Sequence, residues 1–253
     1  LELRLWAMKR SGQHAIIDWI TAHTQGPILH VNNPLYERDR RFYHNVTPLL
    51  AKTDGSDDRW INKSLYIFNV EDGDLTKHPK LIEKNLPIRK RVPCLKCGPS
   101  ERVVDILVVR DPANLWASRI RVVDQQKKNS KEWLGAGALQ KYRHYLREIL
   151  NQTNYLGHER VIVHFDRWTA EEACRLEIGT HLGLTGAFQE QYEKISQFGG
   201  GSSFDLKRFN GKGSEMKVLE RWKYYRNDRR YLELLKNKEL TELSNQIFGK
   251  IIN

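Results

Sequence analysis

The chain has 253 residues, with 42 Lys and Arg against 31 Asp and Glu, a formal charge of +11. An apolar fraction of 40% supplies a core, and seven Trp, ten Tyr and eight Phe argue against disorder. No apolar run approaches the roughly 20 residues that span a bilayer, and three cysteines make no disulfide framework.

In chain order, Leu1–Met8 alternates large apolar residues and reads as a strand, too short and too quickly charged for a signal peptide. After the turn KRSGQ, His14–His23 carries Ile16, Ile17, Trp19 and Ile20 on one helical face and stops at Gly26-Pro27. Pro27–Val31 is a second strand. Residues 32–58 are polar and read as irregular, with Asn33-Pro34 and Asp54-Gly55 as turn signals. Ser64–Val70 is a third strand leading into Glu71-Asp72-Gly73-Asp74, and residues 76–102 read as a Pro- and Lys-rich surface loop. Arg102–Val109 is the most apolar strand, followed by Arg110-Asp111-Pro112 and a helix from about Asn114. Trp133–Gln152 reads as one long amphipathic helix, Arg160–Phe165 as a strand, and Glu171–Leu182 as a helix closed by Gly183. Gly199–Gly213 holds five glycines and reads as a mobile loop, and the chain from Glu215 reads as helical. Strands alternating with helices predict a single α/β domain over 1–253, a three-layer sandwich around a mostly parallel sheet.

The surplus charge calls for an anionic partner or serves solubility. Zinc-finger spacing, RNP-like aromatics and a basic heptad helix are all missing, so nucleic acid is not the expected partner, nor is a membrane. Arg89-Lys90-Arg91, flanked by prolines, reads as a solvated loop.

Two turns suggest chemistry. Lys9-Arg10-Ser11-Gly12-Gln13-His14 joins a strand to a helix N-terminus, where backbone N–H groups and the helix dipole favour an anion. Gly12 admits close approach, and the loop does not match the GxxxxGK[ST] nucleotide signature. Arg110 follows a buried strand at the carboxyl edge where open α/β sheets bind ligands, and Ser118 lies eight residues on. A guanidinium with a hydroxyl suits a terminal phosphate. A plain basic turn in the first case, and an Arg110-Asp111 ion pair beside a small helix residue in the second, are the simpler alternatives. Together, at one sheet edge, the two turns make a much stronger case for a phosphate-bearing ligand than either alone.

On these residues the chain resembles the sulfotransferases that use 3′-phosphoadenosine-5′-phosphosulfate (PAPS). Their first signature, a basic residue followed by Ser-Gly-Thr-Thr, is similar to Arg10-Ser11-Gly12-Gln13-His14, with Gln and His replacing the two threonines. Their second, Arg, Asn or Asp, Pro and a later Ser, is similar to Arg110-Asp111-Pro112 with Ser118. VIVHFDRW with Leu182-Gly183-Leu184, the glycine-rich GGGSSFDLKRFNGKG and Arg221-Trp222-Lys223 resemble later family segments more loosely.

The resemblance implies a P-loop-like sulfotransferase fold and transfer of a sulfuryl group to a hydroxyl or amine of a small-molecule acceptor. PAPS would be the donor and its bisphosphate product PAP the leaving group, with no metal. Lys9, Arg10, Ser11, Gly12, Gln13, His14 and Ala15 would hold the 5′-phosphosulfate, Arg110 and Ser118 the 3′-phosphate, and Lys207, Arg208 and Lys212 would cover the nucleotide. Arg10, with Lys9 as the rival, would neutralise charge on the leaving oxygen. Glu71 is the first choice for the general base, beside Asp72, with His14 and His30 as alternatives; a solvated acidic turn is the plainer reading of Glu71–Asp74. A basic polyanion- or nucleic-acid-binding protein and a nucleotide-dependent phosphotransferase are the competing functions. The missing anchor and disulfides point to a cytoplasmic enzyme, as in secondary metabolism. Cys94 and Cys97 have half the spacing of a zinc site, and no fitting second pair exists. Trp222, Tyr224, Tyr225 and Tyr231 read as core, while Phe42 and Trp60 fall where an acceptor pocket could form, between 32–62 and 75–102.

Overall fold

The computed structural model describes residues 1–33, 46–49, 64–85, 100–186, 193, 195–196 and 201–249. Five parallel strands form its centre: β1 (Glu2–Ala7), β2 (Ile28–Asn32), β4 (Leu65–Glu71), β5 (Val103–Val109) and β6 (Glu159–His164). A short β3 (Val46–Leu49) joins them antiparallel at the edge, giving the order β3-β2-β4-β1-β5-β6. Pro48, opposite Leu29, is confined to that edge because it has no N–H to give a central ladder.

Period-two alternation sorts β1 between two cores. Leu3, Leu5 and Ala7 face α1 (Gln13–Ala22) and α7 (Glu172–Leu182), whereas Trp6 and Met8 face α3 (Pro112–Gln126) and α5 (Ala136–Ile149). β5 divides likewise, with Val104, Ile106 and Val108 on the first side and Leu107 and Val109 on the second. With both faces covered the sheet is a three-layer α/β sandwich, and its strands read as nearly unbroken apolar runs for that reason. No helix among the described residues is long and apolar enough to cross a membrane.

Several elements differ from the expectation. Helix α2 (His78–Asn85) stands inside the segment read as a loop: Pro79 is tolerated in its first turn, and the buried Ile82 ties it to the core. The long helix is two, α4 (Ser130–Leu134) and α5, broken at Gly135, where a Cβ would stand 2.3 Å from the Lys131 carbonyl oxygen. Residues 201–212 are pinned by a Ser202–Leu206 bridge and an ion pair from Arg221 to Asp205. The C-terminal part is helical with an interruption: Val218–Tyr224 is 3-10, followed by α8 (Arg229–Leu235) and α9 (Lys238–Phe248), while α6 (Phe165–Ala170) follows β6. Tyr225 and Tyr231 are core residues, as expected, and Tyr224 is 71% exposed. Arg89–Arg91, Phe42, Trp60, Cys94 and Cys97 lie outside the described residues, as does most of the predicted acceptor region.

Candidate functional site

The parallel sheet places the ends of β1 and β5 side by side, and two turns leave it there. The first is tight. Ser11 N–H donates to the Met8 carbonyl at 3.0 Å, Arg10 takes a φ of 75°, and Gly12 caps α1 with a φ of 90°. A Cβ at Gly12 would lie 2.1 Å from the Phe165 ring, so only glycine fits. No side chain caps α1 and no acidic residue sits in its first turn, which leaves its N-terminal amides open to an anion. The Ser11 hydroxyl is fully buried and has no hydrogen-bond partner among the described residues.

The second turn carries Arg110, buried with 6% exposure. Its Nη1 donates to the Arg10 carbonyl at 3.0 Å and to Ser118 Oγ at 3.2 Å, and its Nη2 to the Val218 carbonyl at 2.6 Å. Its Nε has no partner among the described residues. The guanidinium lies 5.1 Å from the Phe165 ring centroid. Burial, with Arg221 and Arg10 close by, lowers its pKa to about 10 in spite of Asp166. Asp111 caps α3 by accepting from Asn114 N–H, and its own N–H donates to Asp166 Oδ2 at 2.7 Å. Burial and the Asp166 charge raise the Asp111 carboxyl to about 6.

These turns share one cavity of about 350 Å3, within the range of small-molecule sites. Lys9, Arg10, Gly12, Gln13, His14, Ala15, Glu71, Arg110 and Ser118 line it, so nearly all the loop and motif residues singled out in the sequence meet there, whereas Ser11, fully buried, is outside the lining. Among the described residues, six Lys or Arg side chains line it against one carboxylate, Glu71. Lys207, Arg208 and Lys212 do not: all three are exposed and outside the lining. Arg221, Arg175 and Lys128 supply positive charge instead. Arg221 stood in the Trp-basic pair noticed in the sequence, but nothing in the sequence marked Arg175 or Lys128. Phe165 and Trp168 stack at 5.9 Å along one wall, and Trp168 Nε1 is buried with no partner among the described residues.

Glu71 ends β4 inside the cavity. Gln13 Nε2 and His14 Nε2 (3.1 Å) both meet its Oε1, and Asn33 Nδ2 donates to Oε2 at 3.0 Å. Asn33 Oδ1 in turn accepts the Glu71 N–H at 2.8 Å. Burial works against the charge, but hydrogen bonds from His14 and Asn33 and the nearby Lys9 prevail, holding the carboxyl at about 2. Asp72 faces the other way, accepting from Lys9 N–H at 2.8 Å and pairing with Arg119. His30 is fully buried and outside the lining; burial, reinforced by His14, pushes it down to about 3. It is a neutral core histidine, and the structure does not bring this candidate base to the cavity. Asn33 and Arg119 escaped the sequence reading because their roles depend on partners 38 and 47 residues away.

No protein-family model, no curated protein and no solved structure matches this chain.

Proposed function

We propose that the protein is a PAPS-dependent sulfotransferase that transfers a sulfuryl group to a hydroxyl or amine of a small-molecule acceptor, with the fold read as the P-loop-like sulfotransferase type. The observation that carries this reading is the Arg110–Ser118 pair, 3.2 Å apart, opening on the same cavity as the Arg10–His14 loop. Two anion cradles facing one cavity suit a nucleotide phosphorylated at both ends. The fit is chemical as well. Arg110 Nε is a buried donor without a partner among the described residues, on a guanidinium that lines the cavity.

In this reading the loop amides bind the 5′ end, Arg110 and Ser118 bind the 3′-phosphate, and the Phe165–Trp168 wall takes the aromatic base. PAPS supplies the sulfuryl group and a phosphate leaving group. The S–O bond to that phosphate breaks as the acceptor oxygen or nitrogen bonds to sulfur. Arg10 and Lys9 neutralise the charge left on the phosphate oxygen. The acceptor proton passes to the His14–Glu71 pair, in which Glu71 stays ionised and holds the imidazole at 3.1 Å. The same cavity positions both reactants in line, which is the larger part of catalysis for a transfer of this kind.

Calorimetric titration with PAP, with ADP and AMP as controls, tests the reading. Binding that requires the 3′-phosphate and is lost in Arg110→Ala supports it. Equal affinity for PAP and ADP overturns it. Equal, steeply salt-sensitive binding of all polyanions would favour a polyanion-binding protein.

A further inference from the structure

Arg119 is the most completely buried cation in the described structure, with 0% exposure, and it does not line the cavity. It follows Ser118 on α3, but its side chain turns toward the two loops that shape the site. Nη1 and Nη2 grip Asp72 at 2.8 and 3.1 Å. Nη1 also reaches the Lys9 carbonyl at 3.3 Å, and Nε donates to the Trp133 carbonyl at 2.7 Å. The guanidinium lies between Trp116 and Trp133, 5.7 and 5.1 Å from their ring centroids. Asp72 completes the link, since the Oδ1 that Arg119 holds also accepts the Lys9 N–H at 2.8 Å. Asp72 N–H is tied to the Ala7 carbonyl at 2.8 Å.

The backbone on either side of this link is strained. Arg10 and Asp72 both have positive φ, 75° and 52°, without being glycine. Such conformations persist only where surrounding contacts over-determine them. Around Lys9 and Asp72 those contacts converge on one guanidinium.

We propose that Arg119 is a positioning residue that locks the anion-binding loop and the Glu71–Asp72 turn into one register. It touches neither nucleotide nor acceptor; it acts through Asp72 and the Lys9 peptide. The locking of the loop stands by itself, and its meaning for sulfuryl transfer rests on the proposed function. Two loops contributing opposite ends of one reaction must hold their separation, and a displacement of about 1 Å between reacting groups can cost about 100-fold in rate.

The test uses the full chain in four forms: wild type, Arg119→Lys, Arg119→Met and Asp72→Asn. Amide hydrogen exchange is followed at residues 8–14 and 71–73, and PAP and inorganic pyrophosphate are titrated by calorimetry. In Arg119→Met, exchange of these amides should accelerate about tenfold or more while β5 and β6 keep their protection. Pyrophosphate and PAP affinity should fall together by about tenfold. Arg119→Lys, which keeps the charge but has no fork, should recover part of both losses. Unchanged loop exchange and affinity in Arg119→Met, or acceleration spread evenly over the whole sheet, would overturn the proposal. If Arg119→Met does not fold, Asp72→Asn and Arg119→Lys decide, and wild-type behaviour in both would sink the idea. A wild type that binds PAP no better than ADP would remove the sulfotransferase reading and leave the exchange result to judge the lock.

Discussion

Strand β1 carries one buried arginine and its neighbour β5 leads into another, and the two are treated differently. In β1, Arg4 is 2% exposed and fully answered: Nε pairs with Glu2 at 2.8 Å, and Nη1 meets Glu83 and, at 2.9 Å, His158. Burial alone would lower its pKa, yet these carboxylates raise it. Just beyond β5, Arg110 is buried to a similar degree but bonds to a hydroxyl and two carbonyls, next to further arginines, and its pKa falls to about 10. Same side chain, similar burial, opposite shift. Arg4 belongs to a closed network of carboxylates, while Arg110 sits among Arg10 and Arg221 with no carboxylate bonded to its guanidinium among the described residues, a setting that favours an anion.

That contrast can be broken most sharply at the two arginines. Arg110→Ala should weaken PAP binding by about 100-fold or more, as expected for losing charge-assisted bonds worth about 3 kcal/mol, while the protein stays folded. Arg4→Ala should do the reverse. Leaving Glu2 buried without the arginine charge, with Ser100 still donating to it, costs about 3 kcal/mol of stability, read by denaturant unfolding, with no preference among nucleotides. Equal effects of the two variants on PAP affinity would erase the distinction.

Gly12→Ala comes next. It introduces a Cβ 2.1 Å from the Phe165 ring at a φ of 90°, so unfolding should shift by more than about 1 kcal/mol, and PAP affinity should drop with it. Wild-type thermal stability in that variant would show that the loop relaxes freely.

Glu71 sharpens the comparison through pH. Its carboxyl is lowered from 4.5 to about 2, so the stability it contributes is complete above pH 4.5 and drains away as pH falls toward 2. Glu71→Gln should flatten that part of the acid-unfolding curve; identical curves would mean that His14 and Asn33 do not hold the charged form.

The smallest effect is expected at Asp111, raised from 3.8 to about 6. A raised carboxyl weakens the fold above its folded pKa, and that penalty disappears as pH falls through 6 toward 3.8. Asp111→Asn keeps an N-cap side chain and should raise the unfolding temperature at pH 8, with little change at pH 4. A variant less stable than wild type at pH 8 would show that capping by the charged form outweighs its burial.

Much of the site was legible because its parts are local. A strand, a glycine turn and a helix start within 14 residues declare the first cradle, and the eight-residue step from Arg110 to Ser118 declares the second. The family resemblance also brought Glu71 into view, since it places a base near the end of the third strand, and ranked it ahead of His14 and His30. That choice depends on burial and on donors from Gln13, His14 and Asn33, and the structure seats Glu71 and His14 in the cavity while enclosing His30 in the core. The glycine-rich segment misled in a related way: its lysines and arginines looked like nucleotide contacts, yet the buried cation from that region is Arg221, paired with Asp205.

The sequence by itself determined the alternation of strands and helices, the parallel sheet and the two cradles, because hydrophobic period, turn chemistry and helix starts are written over neighbouring residues. Tertiary structure alone decided the sheet order, the break at Gly135, which cations reach the cavity, and the Arg119–Asp72 link. Those depend on groups that meet only after the chain has closed on itself, where burial and pairing, rather than residue type, fix what a charge does.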